Sequence, residues 1–191
     1  MFGNWDINVV VNKLPQKIAT AFASLGETIL GAQYTLIAYL GSQQVNGINH
    51  AVLAEQTIIT GKDTKNIVLI IFNEKPEGVS LVNIERIVES GEGFGGTTID
   101  VKTEIPENAN AIFNESIGNF VGSSIKPFVL LATQMTKGMD YIFAATVTPV
   151  VPEAKPTVAI VTVNSLEKKI SFIDVIQSNL NKKSLGYAFT W

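Results

Sequence analysis

Few side chains in this sequence could carry out catalysis. The chain contains one histidine, His50, and no cysteine. A nucleophile–base pair of the Cys–His kind cannot be built, and no serine stands out as a partner for His50. The carboxylates are scattered without the spacing of metal ligands, and the lack of cysteine excludes disulfides and zinc thiolate sites. We therefore expect no enzyme, no catalytic residue, no metal and no cofactor, and we interpret His50 as a packing residue.

One glycine-rich segment matches a nucleotide-binding motif by its letters. Residues 91–96 read G-x-G-x-x-G, which binds dinucleotides when a strand precedes it and a helix follows it. Here residues 97–103 have the pattern of a strand. The segment is therefore interpreted as a flexible joint between domains.

The composition indicates a protein that binds other proteins. Only 16% of the 191 residues are charged, whereas 46% are hydrophobic. That is few charges for a freely diffusing monomer, so we expect surface buried against a partner, unless Ser, Thr and Asn supply the polar surface.

Charge and hydropathy exclude two other classes of partner. The net charge of −3 and the absence of a Lys/Arg run predict no nucleic-acid binding. Short, interrupted apolar stretches predict no membrane span. The start of the chain lacks the basic and apolar regions of a signal peptide, so the cytoplasm is the expected location.

The sequence contains the same unit twice, at a fixed offset of 91 residues. A repeat of this length is longer than a solenoid turn and suits a small duplicated domain. We predict a first domain over residues 1–90, a Gly-rich linker over residues 91–96 and a second domain over residues 97–191. Among the identical pairs are Pro15/Pro106, Phe22/Phe113, Gly31/Gly122, Gln43/Gln134, Gly47/Gly138, Asn73/Asn164, Ser80/Ser171 and Gly95/Gly186.

Each unit is predicted to contain one amphipathic helix, over residues 18–30 and 109–121. Apolar residues recur there at spacings of three and four. A proline precedes each helix, and Gly31 and Gly122 are expected to end them in a left-handed cap. The predicted buried positions are Ile18, Ala21, Phe22, Leu25 and Ile29 in the first unit, and Ala109, Ile112, Phe113, Ile117, Phe120 and Val121 in the second.

The remaining segments of each unit read as strands. One short strand precedes each helix, and four runs follow it with turn residues between them, at 43–49, 61–63 and 73–78 in the first unit. Short connections favour antiparallel neighbours. The predicted fold class is α+β, with one helix lying across an antiparallel sheet in each of two tandem domains. Residues 186–191 are expected to form either a last strand or an apolar anchor for a partner. The predicted strands are 7–11, 34–40, 50–59, 66–72 and 79–87, then 99–103, 128–132, 141–150, 157–163 and 170–176.

A family resemblance rests on residues 43–50, which read Q-x-V-x-G-x-N-H. They follow a helix and a strand and precede another strand. The segment resembles the first binding hairpin of the cystatins, whose signature is Q-x-V-x-G. The second unit keeps Gln134 and Gly138 but has Thr136 in place of the valine. The predicted order of elements is also that of cystatins, so the resemblance covers both units, and the lack of cysteine resembles the intracellular, disulfide-free branch.

The resemblance implies a non-enzymatic inhibitor of papain-type cysteine proteases. Cystatins block these enzymes with an N-terminal glycine-containing trunk, the Q-x-V-x-G hairpin and a second hairpin. Gly47 is then expected at an exposed tip beside residues 1–4 and the turn at 73–78, and Gly47→Glu is expected to leave the melting temperature nearly unchanged. The second hairpins, at 73–78 and 164–168, lack the usual cystatin tip residues. The partner-binding residues implied are Gln43, Val45, Gly47, Pro76, Gly95, Gly96, Gln134 and Gly138.

Two alternatives stay open. The hairpin at residues 43–47 could be a polar turn without a binding role. The chain could also be a structural or assembly component, for example of a virus or phage particle, that reuses the cystatin fold. Its partners would then be neighbouring subunits and its location the virion. The low charge and the altered second hairpins favour this alternative, whereas the Q-x-V-x-G segment favours the inhibitor.

Overall fold

The computed structural model describes residues 4–59, 62, 64–174 and 186–187. The first unit has one helix between its first and second strands. The strands form one sheet in the order β1-β2-β3-β4-β5, and all neighbours are antiparallel. This sequential order follows from the short connections, because each strand folds back on the one before it. The elements are β1 (Trp5–Val11), α1 (Gln16–Gly26), β2 (Ala32–Val45), β3 (Gly47–Ile58), β4 (Thr64–Lys75) and β5 (Gly78–Glu89).

The second unit repeats this order and adds a short strand. Its sheet has the order β11-β10-β9-β8-β7-β6, again antiparallel. The bounds of α2, β7 and β8 match those of α1, β2 and β3 at the offset of 91 residues. The chain divides into compact units at Met1–Glu89 and Ser90–Trp191, and the predicted α+β class is confirmed. The elements are β6 (Thr97–Lys102), α2 (Glu107–Ile117), β7 (Ser123–Thr136), β8 (Gly138–Pro149), β9 (Thr157–Asn164), β10 (Ile170–Asp174) and β11 (Gly186–Tyr187).

The buried helix faces are those that the periodicity predicts. In α1 the buried residues are Ile18, Ala21, Phe22 and Leu25, and in α2 they are Ala109 and Phe113. They pack on the apolar side chains of one sheet face in each unit, among them Val52, Val68 and Ile70 in the first and Phe143 and Val161 in the second. Each helix has 11 residues, and within the described chain neither is long and apolar enough to cross a membrane.

The predicted helix ends are wrong. The helices stop at Gly26 and Ile117. The turn that follows is closed by hydrogen bonds between residues three apart instead of four, such as that from the Thr28 amide to the Leu25 carbonyl at 2.9 Å. The Thr28 hydroxyl also donates to that carbonyl. Gly31 and Gly122 have positive φ values of 90° and 97°, but they form the bends that lead into β2 and β7. Val121 is 89% exposed, so it does not belong to the buried face.

The hairpins are tighter than the sequence predicts. Most of the turn expected at residues 43–49 is strand, because Val45 pairs directly with Gly47. Two residues, Pro76 and Glu77, connect β4 to β5, whereas residues 165–169 connect β9 to β10. Of the turn predicted at 61–63 only Lys62 is described. Residues 175–176 and 188–191 of the predicted last strands lie outside the described part, and within it Gly186–Tyr187 pairs with β10.

Candidate functional site

Three segments that are distant in sequence meet at one end of the first sheet, which we call the tip end. Trp5, at the start of β1, pairs with Gln43 near the end of β2. The β2–β3 tip at residues 45–47 lies beside the β4–β5 tip, since Ile48 pairs with Glu74. The structure therefore brings together residues 4–5, 45–47 and 75–78. Residues 1–3, which were also expected there, lie outside the described part.

The predicted binding residues of the first unit differ in exposure. Pro76 is exposed at its tip, as are Asn46 and Glu77. Val45 is half-buried, and Gln43 is only 5% exposed. A partner approaching the tip end therefore meets Asn46 and Pro76 first, whereas Gln43 supports the hairpin from inside.

Gly47 is not the freely substitutable tip residue that the sequence suggests. It is half-buried, with φ of 97°. A Cβ atom at this position would lie 2.6 Å from the Glu74 carbonyl oxygen and 2.8 Å from Asn73 Oδ1. The expectation that Gly47→Glu leaves the melting temperature nearly unchanged is therefore wrong, because the second hairpin occupies the space that a side chain needs.

A row of amide side chains joins three strands just below the tips. Asn49 Nδ2 donates to Gln43 Oε1 at 3.1 Å, and Asn73 Nδ2 donates to Asn49 Oδ1 at 2.8 Å. Gln43 and Asn73 are buried, where broken hydrogen bonds are costly. The glutamine of the Q-x-V-x-G segment thus fixes the first hairpin to β3 and, through Asn49, to β4.

The second unit has a related arrangement at its own tip end. Gln134 Nε2 donates to the Gly95 carbonyl oxygen at 2.8 Å, and Asn164 Nδ2 donates to Asp140 Oδ1 at 2.6 Å. Gly138 lies against the longer β9–β10 loop, where a Cβ atom would be 2.9 Å from Leu166 Cγ. Gln134, Gly95 and Gly138 therefore lie at one end of this sheet.

The glycine-rich segment 91–96 folds onto the start of β6. The Gly91 amide donates to the Thr97 carbonyl at 3.0 Å, and the Gly96 amide to the Gly93 carbonyl at 3.1 Å. A Cβ atom on Gly96 would lie 2.4 Å from the Gly91 carbonyl oxygen, so a tight closure explains this glycine. The strand Thr97–Lys102 follows, where a dinucleotide loop would require a helix.

A chain of polar side chains links helix α1 to the sheet in the first unit. Lys17 Nζ lies 2.9 Å from Glu74 Oε1, and Glu74 Oε2 lies 2.9 Å from His50 Nε2. The Tyr39 hydroxyl is 3.2 Å from His50 Nδ1. A carboxylate only accepts hydrogen bonds, so Nε2 donates to Glu74, and in the neutral ring Nδ1 accepts from Tyr39.

His50 is a packing residue that also carries hydrogen bonds. It is 5% exposed, and its ring lies between those of Tyr39 and Phe72, at centroid distances of 5.9 and 5.3 Å. Both ring nitrogens are engaged, so neither is available to act as a base on an outside molecule without breaking a bond. Burial raises the pKa of Tyr39, which keeps its hydroxyl protonated as a donor.

The neighbours of Glu74 in this chain of polar side chains favour its ionised form. The hydrogen bond from Lys17 is the main cause that lowers the pKa of Glu74 below its ordinary value of 4.5, and the His50 contact acts in the same direction. Partial burial opposes the shift without reversing it. The carboxylate is thus held in its charged form between a cation of the helix and a ring of the sheet.

Replacing Glu74 with glutamine should make the first unit less sensitive to acid. The lowered pKa of Glu74 contributes stability that is complete above a pH of about 4.5 and is lost as the pH falls through the folded-state pKa. Urea unfolding, followed by Trp5 fluorescence in a Trp191→Phe background, measures this. The difference in free energy of unfolding between the parent and Glu74→Gln should shrink from neutral to acid pH; a constant difference would contradict the assignment.

The sequence contained a signal for the amide row but not for the polar chain. Gln43 and Asn73 recur as Gln134 and Asn164, and Asn49 recurs as the similar Asp140. His50, in contrast, corresponds to Tyr141, and the duplication gives no hint of its partners. The polar chain is therefore a feature of the first unit, and its members are visible only in the folded structure.

Within the described residues, no group of three or more histidine or carboxylate side chains is placed to hold a metal ion. The site consists instead of hairpin tips, buried amides and one ion-paired polar chain. Comparison with models of known families, with curated proteins and with solved structures finds no match to this chain.

Proposed function

We propose that the chain is a tandem cystatin-like protein whose first unit inhibits papain-type cysteine proteases through its tip end. The observation that carries this proposal is the meeting of the β1 start, the β2–β3 tip and the β4–β5 tip at one end of the sheet. The sequential antiparallel order places these three segments at the same end of the sheet, and the Q-x-V-x-G segment at residues 43–47 lies at that end. The sequential antiparallel order with one helix after the first strand agrees with the cystatin-like arrangement that the sequence suggests.

The tip end has the properties of a preformed wedge. The β2–β3 hairpin reverses the chain around the single residue Asn46, and the β4–β5 hairpin around Pro76 and Glu77. The amide row and the close contact at Gly47 hold the two tips together, so little conformational freedom is lost on binding. A protease cleaves an extended segment, and these tight reversals do not present one.

The first unit is the better candidate for this role. In the second unit Thr136 replaces the valine of the motif, and the β9–β10 loop carries Glu167, Lys168 and Lys169 in place of a two-residue tip. Lys169 pairs with Glu167 at 2.7 Å. A charged, longer loop enters a narrow cleft less readily, because its charges lose hydration there.

Titration of papain with the intact protein tests the proposal. The wild type is expected to inhibit at micromolar concentration, and Asn46→Trp should abolish inhibition because an indole at the exposed apex does not fit a narrow cleft. Leu30→Ser is the matched control, since Leu30 is 89% exposed and lies at the opposite end of the unit. Both substitutions should change stability by less than about 0.5 kcal/mol, which thermal unfolding checks.

A wild-type protein that does not inhibit papain would overturn the inhibitor proposal. A second candidate, the assembly component, would then be favoured by exposed aliphatic residues that both units keep at equivalent positions. Leu30 and Ile59 are 89% and 62% exposed in the first unit, and Val121 and Val150 are 89% and 72% exposed in the second. Regular particles in electron micrographs of the purified protein would support that candidate.

A further inference from the structure

Strand β2 has an outer edge that is only partly covered. β1 pairs with β2 from Ala38 to Gln43, whereas β3 pairs with β2 from Ala32 onward. β1 ends where Asn12, with φ of 70°, turns the chain toward helix α1. Residues 32–37, here called the open edge, therefore have no strand partner on that side among the described residues. Every second residue of such an edge presents its backbone N–H and C=O groups outward.

The open edge is suited to pairing with another strand. It reads Ala-Gln-Tyr-Thr-Leu-Ile and contains no charge and no proline, the two features with which edge strands usually prevent such pairing. A groove of about 650 Å³ lies between it and helix α1. Phe22 and the small residues Ala19, Ala23 and Gly26 line the helix side of the groove, which leaves room for side chains of an added strand.

The second unit blocks the equivalent edge. β6 pairs with β7 only from Leu130 to Gln134, so the first part of β7 is also uncovered within the described chain. There Lys126 and Pro127 stand at the positions of Thr35 and Leu36. A lysine and a proline protect an edge, the first by its charge and the second by its missing N–H. Two copies of one fold thus differ in whether this edge can accept a strand.

The proline also shows which way the backbone faces. Pro127 lies opposite Ala145 of β8, as Leu36 lies opposite Ala54 of β3. Proline has no N–H and is found in edge strands where the N–H would face away from the neighbouring strand. The backbone at Pro127 therefore does not donate a hydrogen bond to β8, and the equivalent Leu36 need not donate one to β3. The N–H of Leu36 therefore faces the open edge, where an incoming strand can accept its hydrogen bond.

We propose that the open edge binds the same edge of a second copy of this chain, forming a two-fold symmetric dimer. Antiparallel pairing centred on Tyr34 places Ala32 opposite Leu36 and Gln33 opposite Thr35 of the partner. Leu36 then faces the small Ala32, the two Tyr34 rings face each other at the centre, Gln33 faces Thr35, and no like charges meet. Such a contact closes at two copies and joins their five-stranded sheets through backbone hydrogen bonds. The uncharged, self-complementary edge favours a second copy over a charged partner.

Analytical ultracentrifugation of the full-length protein over a range of concentrations tests this. The wild type is expected to dimerise reversibly. The double variant Thr35→Lys/Leu36→Pro, which copies the second unit, should weaken the dimer by about tenfold or more, because it adds a charge and removes an outward donor. Hydrogen exchange should show that the outward-facing amides of Ala32 and Tyr34 are protected in the wild-type dimer and not in the variant.

Two further variants separate an edge contact from general destabilisation. Leu36→Ala shortens the side chain as proline does but keeps the N–H, so it should weaken the dimer much less than the double variant does. Thr35→Lys alone changes an exposed residue and should still weaken the dimer, even if the proline variant fails to fold. A monomeric wild type, a double variant that dimerises equally well, or an edge that binds only added peptides while the chain stays monomeric would each overturn the proposal.

Discussion

Phe113→Ala is expected to lower the free energy of unfolding of the second unit by about 3–5 kcal/mol. Phe113 is 0% exposed, and its ring makes an edge-to-face contact with Phe143 at a centroid distance of 5.0 Å. Hydrogen-bonded strands line the space that its removal leaves, so they cannot move in to fill it. Hydrogen exchange followed by mass spectrometry measures the result, since it reports the two units separately.

The equivalent substitution in the first unit is the matched control. Phe22 is 8% exposed and lines the groove beside β2, so a cavity at this position is open to water on one side. Phe22→Ala should therefore cost less than Phe113→Ala, near the lower end of the same range of about 3–5 kcal/mol. A loss below about 1 kcal/mol at Phe113 would show that the helix face is wrongly assigned.

The sequence predicts the helix faces well because their cause is local. Residues three and four apart share one side of a helix, so the pattern that contains Phe22 and Phe113 identifies the side that meets the sheet. The helix ends depend on other contacts. Thr28 closes the last turn of α1 on the Leu25 carbonyl, and Gly31 is needed for the bend into β2. Apolar spacing alone does not separate a residue of the last turn from one just beyond it.

For the candidate site, the sequence identifies which residues recur in both units but not which groups they contact. The offset of 91 residues singles out Gln43 and Gly47 together with their equivalents. Their roles depend on cross-strand register, which places Gln43 opposite Asn49 and Gly47 beside the end of β4. A turn seen in sequence suggests exposed tip residues, whereas the second hairpin covers Gly47. Sequence spacing gives no measure of that contact, because β4 is more than a strand length away along the chain.

Gly47→Ala is expected to destabilise the first unit and to weaken protease inhibition as a consequence. A residue with a side chain at φ of 97° is strained by about 1–3 kcal/mol. The new Cβ atom would also lie 2.6 Å from the Glu74 carbonyl oxygen, and that backbone is held in the sheet by its pairing with β3. The β4–β5 hairpin must move away, which separates the two tips. Urea unfolding followed by Trp5 fluorescence, again with Trp191→Phe, measures the loss.

Gly138→Ala provides the control, because it combines similar backbone strain with a softer contact. Gly138 has φ of 110°, but the nearest obstacle to a Cβ atom there is the side chain of Leu166, at a distance of 2.9 Å. Leu166 is 66% exposed and can rotate away. The loss in the second unit should therefore stay within the strain of about 1–3 kcal/mol, below that of Gly47→Ala. Equal losses in the free energy of unfolding would mean that the β4–β5 hairpin moves as easily as an exposed side chain. The close contact between the two tips would then not be what fixes their relative position.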